Sequence, residues 1–154
     1  MTKIKLCGLF RPCDIETVNL LKPEYIGFVF APGSKRYISF QRAAELKSLL
    51  APGIKAVGVF TDEAPETVAE LLKDQIIDMA QLHGNESGTY LNQLRSLTEK
   101  PLIKAFRIRS CLDIRAASVC DADYVLLDSG AGTGTVFNWD LIKELHRPYF
   151  LAGG

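Results

Sequence analysis

The sequence has no excess of charge of either sign, because 18 Lys and Arg residues are balanced by 18 Asp and Glu residues. It also has no stripe of basic residues of the kind that follows a nucleic-acid backbone. A neutral chain produces no long-range field that would attract nucleic acid or an anionic membrane. We therefore expect no nucleic-acid partner, and any anionic ligand must be bound by local groups.

Long hydrophobic runs and paired cysteines are missing as well. No apolar run approaches the roughly 20 residues of a membrane-spanning helix, and the first five residues do not resemble a signal peptide. The four cysteines form no C-x-x-C pair, and only two histidines accompany them. These absences predict a cytoplasmic protein with reduced thiols, no membrane partner and no metal site.

What the sequence does contain is a series of short apolar runs that are typical of strands. Their starts lie between 21 and 30 residues apart, which is the length of one strand followed by one helix. Several runs are almost continuously apolar, as expected for strands covered on both faces of a parallel sheet. The predicted strands are residues 4–7, 25–30, 55–60, 77–82, 102–106, 124–128 and 149–152.

Helical patterns separate these runs, and residues that favour helix starts precede them, including Pro12, Ser39, Pro65, Ser110 and Asn138. Ser110 with Asp113 resembles a capping box, and the last helical pattern runs through Leu145. Alternating strands and helices predict an α/β fold with a parallel sheet. A (β/α)8 TIM barrel is favoured over an open doubly wound sheet. The reason is that polar or flexible residues follow nearly every strand, whereas an open sheet concentrates its site at one switch point.

The C-terminus conflicts with a complete barrel. Barrels of this class have eight strands and usually about 200 residues or more, whereas this chain of 154 residues ends directly after the seventh predicted strand. We expect one domain, residues 1–154, that lacks the last helix-strand-helix segment, and we interpret the chain as a fragment. The alternative is that something else covers the gap, since open strand edges favour association. The sequence leaves the oligomeric state open.

Two reactive side chains end predicted strands and are candidates for catalysis. Cys7 ends the first strand, and its thiolate would be a competent base or nucleophile. Lys5 shares its strand face and would place a cation below it. Asp128 ends the sixth strand, where a carboxyl group acts either as an acid or base or as an acceptor for loop amides. A buried structural cysteine is the alternative for Cys7.

Two further polar residues are candidates for binding. Arg36 follows the second strand and would bind a carboxylate or phosphate through paired hydrogen bonds. His83 follows the fourth strand, and Gln81 points the same way by alternation. The alternatives are a solvated surface charge for Arg36 and a backbone-bonded ring for His83. We interpret the second histidine, His146, as structural.

Two glycine-rich segments also follow strands. Residues 130–134 match neither a dinucleotide-binding fingerprint nor a Walker loop, and they form either a ligand-contacting loop or a plain connection. Gly153 and Gly154 follow the seventh strand, where backbone amides of barrels often bind phosphate together with the loop after strand eight. Only half of such a phosphate site would exist in this chain.

A set of short segments follows in order along the chain. They are KLCGLFRP at 5–12, YIGFVFAP at 25–32, SKRY at 34–37, GVF at 58–60, QLHG at 81–84, LLDS at 126–129, GTG at 132–134, FNW at 137–139 and LAGG at 151–154. In this order the segments resemble the phosphoribosylanthranilate isomerase family of tryptophan biosynthesis. The resemblance runs through all 154 residues, and the ordered set is more specific than any single motif.

The resemblance implies a (β/α)8 barrel that performs an Amadori rearrangement without a cofactor. The substrate is a phosphorylated aminosugar, N-(5-phosphoribosyl)anthranilate, and the product is 1-(2-carboxyphenylamino)-1-deoxyribulose 5-phosphate. The family pattern makes Cys7 the general base and Asp128 the general acid. It places Arg36 near the anthranilate carboxylate and makes Gly153 and Gly154 part of the phosphate site.

The chain departs from the family pattern in small and large ways. Ala131 stands where the family often has Gly, and Asn138 replaces a commoner Asp. The larger departure is the missing C-terminal segment, so an inactive fragment that needs a complementing segment or partner is the alternative to an active isomerase. Another sugar-phosphate barrel, indole-glycerol-phosphate synthase, is disfavoured because a catalytic Lys with paired Glu at strand ends is not found.

Overall fold

The computed structural model describes residues 2–130 and 139–153. The chain divides into two compact units, an N-terminal unit of residues 1–100 and a C-terminal unit of residues 101–154. Both units are built from parallel strands that alternate with helices. The predicted α/β class is therefore confirmed. The prediction of one domain stays a prediction.

The N-terminal unit contains four strands and four helices. The strands pair in parallel and in chain order, with Lys5 opposite Tyr25, Tyr25 opposite Lys55, and Val57 opposite Met79. The elements are β1 (Lys5–Cys7), α1 (Pro12–Leu21), β2 (Tyr25–Val29), α2 (Phe40–Ser48), β3 (Lys55–Phe60), α3 (Pro65–Lys73), β4 (Met79–Leu82) and α4 (Gly88–Leu97).

The described residues of the C-terminal unit, 101–130 and 139–153, form three strands and two helices. Its strands are also parallel and in chain order, with Ile103 opposite Tyr124 and Val125 opposite Tyr149. The elements are β5 (Leu102–Arg107), α5 (Cys111–Ser118), β6 (Tyr124–Asp128), α6 (Trp139–Ile142) and β7 (Tyr149–Ala152).

Each unit has a core formed where apolar strands meet one stripe of each helix. In the N-terminal unit the stripes of α1 and α2 bury Ile15, Val18, Ala43 and Leu46. Burying each of the larger side chains, Ile15, Val18 and Leu46, contributes about 1.5–3 kcal/mol. The C-terminal core consists of Ile108, Ile114, Ala117, Val125, Leu127, Ile142 and Leu145. This packing fixes the strands, so that the residues at their carboxyl ends have defined positions.

The helix starts follow the expected chemistry. The Ser39 hydroxyl accepts a hydrogen bond from the Arg42 amide at 3.2 Å, which satisfies one of the free donors of α2. Ser110 and Asp113 form the predicted capping box of α5. Pro12 and Pro65 occupy the first turns of α1 and α3, where a missing amide proton costs nothing.

Element boundaries differ from prediction by one or two residues, except in the last helix. That helix was expected to continue to Leu145 but ends at Ile142. Leu145 still packs in the core, because the amides of Lys143, Glu144 and Leu145 bond to carbonyls three residues earlier, in the tighter 3₁₀ pattern. The expected cap, Asn138, lies outside the described residues.

Replacing the Ser39 cap should destabilise the N-terminal unit. Ser39→Ala leaves an amide of α2 without its side-chain acceptor, which should lower the free energy of unfolding by about 1 kcal/mol. The matched control is Ser48→Ala in the same helix, whose hydroxyl donates to the Glu45 carbonyl at 2.6 Å. Urea unfolding followed by circular dichroism measures both. Equal stabilities of the two variants would contradict the capping role.

Candidate active site

Cys7 lies at the carboxyl end of β1, and its thiol lies against the neighbouring strand β2. Cys7 is half-buried and stands opposite Gly27 of β2. A Cβ atom built on Gly27 would lie 2.6 Å from the Cys7 Sγ, closer than any real contact. The carbonyl of Gly27 accepts hydrogen bonds from the amides of Gly8 and Leu9 at 2.9 and 3.1 Å. The thiol therefore occupies the space that a side chain at position 27 would need.

Arg36 lies beside the backbone of Cys7. Its Nη1 donates to the Cys7 carbonyl at 2.9 Å, although the two residues are 29 positions apart. The guanidinium crosses Gly8, which has a φ of +89° that favours glycine, and a Cβ there would lie 2.7 Å from the Arg36 Nε. The structure thus brings together two of the predicted site residues, Cys7 and Arg36.

His83 belongs to a chain of hydrogen bonds that begins on β1. The Lys5 Nζ donates to the Gln81 Oε1 at 2.8 Å, and the Gln81 Nε2 lies 2.9 Å from the His83 Nδ1. Gln81 and His83 therefore point the same way, as alternation predicts. Lys5 is directed across to β4 and is engaged by a neutral amide. Its expected influence on the Cys7 thiol stays a prediction.

The loops on which these residues lie are fixed by carboxylates. Asp14 accepts hydrogen bonds from the amides of Phe10 and Arg11 at 3.1 and 2.9 Å, and it pairs with the Arg11 side chain. The hydrogen bond from the Arg11 guanidinium is the main reason why the pKa of Asp14 is lowered, and the two amides add to it. Asp14 therefore orders the loop that directly follows Cys7.

Two carboxylates link the loops that follow β3 and β4. The buried Glu86 carboxylate accepts from the amides of Asp62 and Gly84 at 2.9 and 3.2 Å. The Asn85 amide donates to Asp62 at 2.7 Å. Tyr90 packs beside this group, and its pKa is raised by burial and by the negative charge of Glu86. These bonds hold the backbone next to His83.

Asp128 lies at the carboxyl end of β6 in the C-terminal unit. Its Oδ1 accepts a hydrogen bond from the Gly130 amide at 2.9 Å, which fits the role of an acceptor for loop amides. A Cβ on Gly130 would lie 2.8 Å from the Arg107 Nε, so this guanidinium crosses the same loop. The C-terminal unit thus places a carboxylate and a cation around one short segment.

Gly153 lies beside Asp128. It has a φ of +103°, and a Cβ there would meet the Ser129 hydroxyl and approach the Asp128 Oδ1 to 3.3 Å. A glycine is therefore required at position 153 on grounds of both backbone conformation and space. Gly154 and residues 131–138, which include most of the glycine-rich loop, lie outside the described residues.

Residues Gly8 and Gly27 were missed as contributors to the site by sequence reasoning. The available signal was the strand register, since a parallel pairing of β1 and β2 places residue 27 beside Cys7. Among residues 2–130 and 139–153, no group of three His, Cys, Asp or Glu side chains is arranged to hold a metal ion. Within the same ranges, no helix is long and apolar enough to cross a membrane.

Parallel strands alternating with helices, with reactive side chains at their carboxyl ends, define the class of α/β barrel enzymes. The family model of N-(5'-phosphoribosyl)anthranilate isomerase matches residues 4–154. The chain belongs to this family. Curated relatives with that name include those of Endomicrobium trichonymphae, 43% identical, and Acetivibrio thermocellus, 42% identical. Each alignment covers 100% of this chain, and 78% and 77% of the relative respectively.

Solved structures support the same fold. The phosphoribosylanthranilate isomerase of Thermus thermophilus superposes with a TM-score of 0.86 at 33% identity, covering 99% of this chain and 77% of that one. The enzyme of Thermotoga maritima gives a TM-score of 0.86 at 31% identity, with 100% and 78% coverage. The predicted TIM-barrel class is therefore confirmed, and the chain spans about three quarters of the length of these relatives.

The space between Gly27 and Cys7 should be measurable as an energetic coupling. Gly27→Ala forces a methyl group against the Sγ and should destabilise the chain by about 1–3 kcal/mol, the usual cost of overpacking. The same substitution in a Cys7→Ala background should cost at least about 1 kcal/mol less, because the stability changes caused by substitutions at contacting residues do not add. Urea unfolding of the four proteins gives this coupling.

The control for this cycle is Gly88→Ala at the first position of α4. A Cβ there meets nothing within 4 Å and the φ is ordinary, so stability should stay the same or increase. Equal costs for Gly27→Ala with and without the Cys7 thiol would show that the thiol does not occupy this space.

Proposed function

We propose that this chain isomerises N-(5-phosphoribosyl)anthranilate to 1-(2-carboxyphenylamino)-1-deoxyribulose 5-phosphate, a step of tryptophan biosynthesis. The observation that carries the proposal is the contact between Arg36 and the backbone of Cys7 at 2.9 Å. It places an anion-binding group directly beside a thiol that is able to act as a base. Membership of the isomerase family supports the substrate. A solved member of the family, 30% identical, is a complex with the reduced form of the product, which supports it further.

In the proposed reaction, Asp128 acts as the general acid and Cys7 as the general base. Asp128 donates a proton to the ribose ring oxygen as the bond from that oxygen to C1 breaks, which leaves an open chain with a C1=N Schiff base. The Cys7 thiolate then removes the proton from C2, and the C–H electron pair forms a C1=C2 double bond while the C=N electrons move to nitrogen. The enol loses its hydroxyl proton as C1 gains one, which yields the ketone at C2.

The residue types suit these steps. A cysteine thiolate is able to act as a general base, and Cys7 is not fully buried at its strand end. A carboxyl group held by the Gly130 amide has a fixed direction for proton transfer. No metal, nicotinamide or pyridoxal enters the proposed scheme, because the hydrogen lost from C2 is balanced by the one gained at C1.

The remaining site residues are proposed to bind the two ends of the substrate. Arg36 offers the guanidinium donors that are not engaged by the Cys7 carbonyl to the anthranilate carboxylate. Gly153 and Gly154 offer backbone amides to the phosphate, as loops at strand ends of barrels often do. His83 contributes a further polar contact to the substrate.

Loss of either proposed catalytic group should abolish turnover while binding remains. Cys7→Ala and Asp128→Asn should each lower kcat by about 10²–10⁴-fold, the usual contribution of general acid–base catalysis, with little change in KM. Steady-state assays of the 154-residue chain measure both constants. The exposed Cys13 provides the matched control, because Cys13→Ala should retain turnover.

The same assay separates the proposed isomerase from an inactive fragment. Turnover by the chain alone supports an active isomerase. Turnover that appears only after a C-terminal segment of a relative is added supports a fragment that needs complementation. Loss of binding with preserved kcat in Cys7→Ala would contradict the assignment of Cys7 as the base.

Arg36 should act mainly in substrate binding. Arg36→Ala removes charge-assisted hydrogen bonds of about 1.5–3 kcal/mol, so KM should rise by about 10–100-fold with a smaller effect on kcat. The control is Arg42→Ala, which removes an exposed guanidinium that pairs with the Glu45 side chain, three residues further on, at 2.6 Å. An unchanged KM in Arg36→Ala would remove this residue from the site.

A further inference from the structure

A chain of three polar side chains runs from β1 to the end of β4 in the N-terminal unit. The Lys5 Nζ lies 2.8 Å from the Gln81 Oε1, and the Gln81 Nε2 lies 2.9 Å from the His83 Nδ1. Gln81 is only 2% exposed, so its amide has to be satisfied by these neighbours and not by water. Together, the two contacts determine which group donates and which accepts in each of the two hydrogen bonds that join Lys5, Gln81 and His83.

The direction follows from what each group is able to donate. An ammonium group has three donors and no acceptor, so the Gln81 atom facing Lys5 must be the carbonyl oxygen. The NH₂ group of the same amide then faces His83 and donates to it. A ring nitrogen that receives a hydrogen bond carries no hydrogen, and a neutral imidazole has only one.

We propose that Lys5, through Gln81, fixes His83 in the tautomer that carries its hydrogen on Nε2. The imidazole then presents a hydrogen-bond donor at Nε2 and is not a base at that atom. Lys5 and Gln81 are positioning residues, since they act through His83.

The tautomer of His83 matters because His83 and Cys7 lie at corresponding positions on their strands. Lys5 and Cys7 share one face of β1 by alternation, and the contact from Lys5 to Gln81 turns that face towards Gln81 on β4. His83 follows Gln81 by two residues, as Cys7 follows Lys5. Lys5 and Gln81 make the contact that links the two strands. Cys7 and His83 each lie two residues further towards the carboxyl ends of these strands.

If the proposed function holds, the Nε2–H donates to an oxygen atom of the sugar phosphate or the carboxylate. The tautomer also leaves proton removal to Cys7, because a ring that already has a hydrogen on Nε2 cannot accept one there while Gln81 donates to Nδ1. His83 thereby acts in recognition of substrate oxygen atoms. It does not compete with the thiol for the role of base.

Nitrogen NMR of the ¹⁵N-labelled chain tests the tautomer directly and needs no enzymatic activity. Spectra at about pH 8.5, well above the ordinary histidine pKa of about 6.5, report which ring nitrogen carries hydrogen. The chain has only two histidines, and His146 is exposed, so its signals serve as the internal reference. We expect His83 as the Nε2–H tautomer, with a scalar coupling between the Gln81 Nε2 and the His83 Nδ1.

Gln81→Glu should reverse the arrangement. A carboxylate accepts from Lys5 and from His83 alike, so the ring hydrogen should move to Nδ1. Gln81→Leu removes the donor and should give an exchanging mixture of the two His83 tautomers. Lys5→Met tests the first link, since an amide without the ammonium partner is able to turn over and the coupling to Nδ1 should weaken.

Three results would overturn the proposal: hydrogen on Nδ1 in the unmodified chain, no coupling between Gln81 and His83, or an unchanged His83 spectrum in Gln81→Glu. The coupling in the unmodified chain decides the question even if a variant does not fold. Kinetics form a separate arm, in which Gln81→Glu should raise KM more than Gln81→Leu does. Absence of all turnover with the expected tautomer would instead count against the proposed function.

Discussion

The position of the Cys7 thiol depends on the absence of a side chain at Gly27. Parallel pairing puts these two residues side by side, and the Sγ lies where a Cβ of residue 27 would be. In the same manner, the Arg36 guanidinium occupies the space that a side chain at Gly8, the residue after Cys7, would need. A thiol and a guanidinium thus lie together at one strand end because two side chains are absent there. The thiol position is set by packing, which is stiff because protein interiors are close to crystalline density.

Polar groups below this strand end are organised as hydrogen-bonded chains and not as isolated charges. Gln81 is almost fully buried, yet both ends of its amide have partners, as buried polar groups require. In the loops, carboxylates accept hydrogen bonds from backbone amides, Asp14 in the loop after β1 and Glu86 in the loop after β4. The apolar core therefore carries a polar layer whose geometry is determined by donors and acceptors. Such a layer holds side chains in fixed directions, which acid–base chemistry needs.

Much of the fold was predictable from the sequence, because strands and helices repeat their apolar residues at different periods. The strands were placed within one or two residues, and the caps at Ser39 and Ser110 followed from local chemistry. The contact between Gly27 and Cys7 was not predictable without the strand register, which joins residues about 20 positions apart. The contact between Gly8 and Arg36 joins two loops and leaves no such pattern in the sequence. The contact between Lys5 and Gln81 spans 76 positions and depends on how four strands are arranged. The short last helix escaped prediction because its apolar residues keep a helical spacing while their backbone adopts the 3₁₀ pattern.

The central claim is that Cys7 removes the C2 proton of phosphoribosylanthranilate. Its most direct test is a single-turnover comparison of the ordinary substrate with one that carries deuterium at C2. If the thiolate breaks this bond in the slow step, the deuterated substrate should form the ketose product more slowly, and its deuterium should appear in solvent. Equal rates for the two substrates, or an unchanged rate of deuterium loss in Cys7→Ala, would contradict the claim.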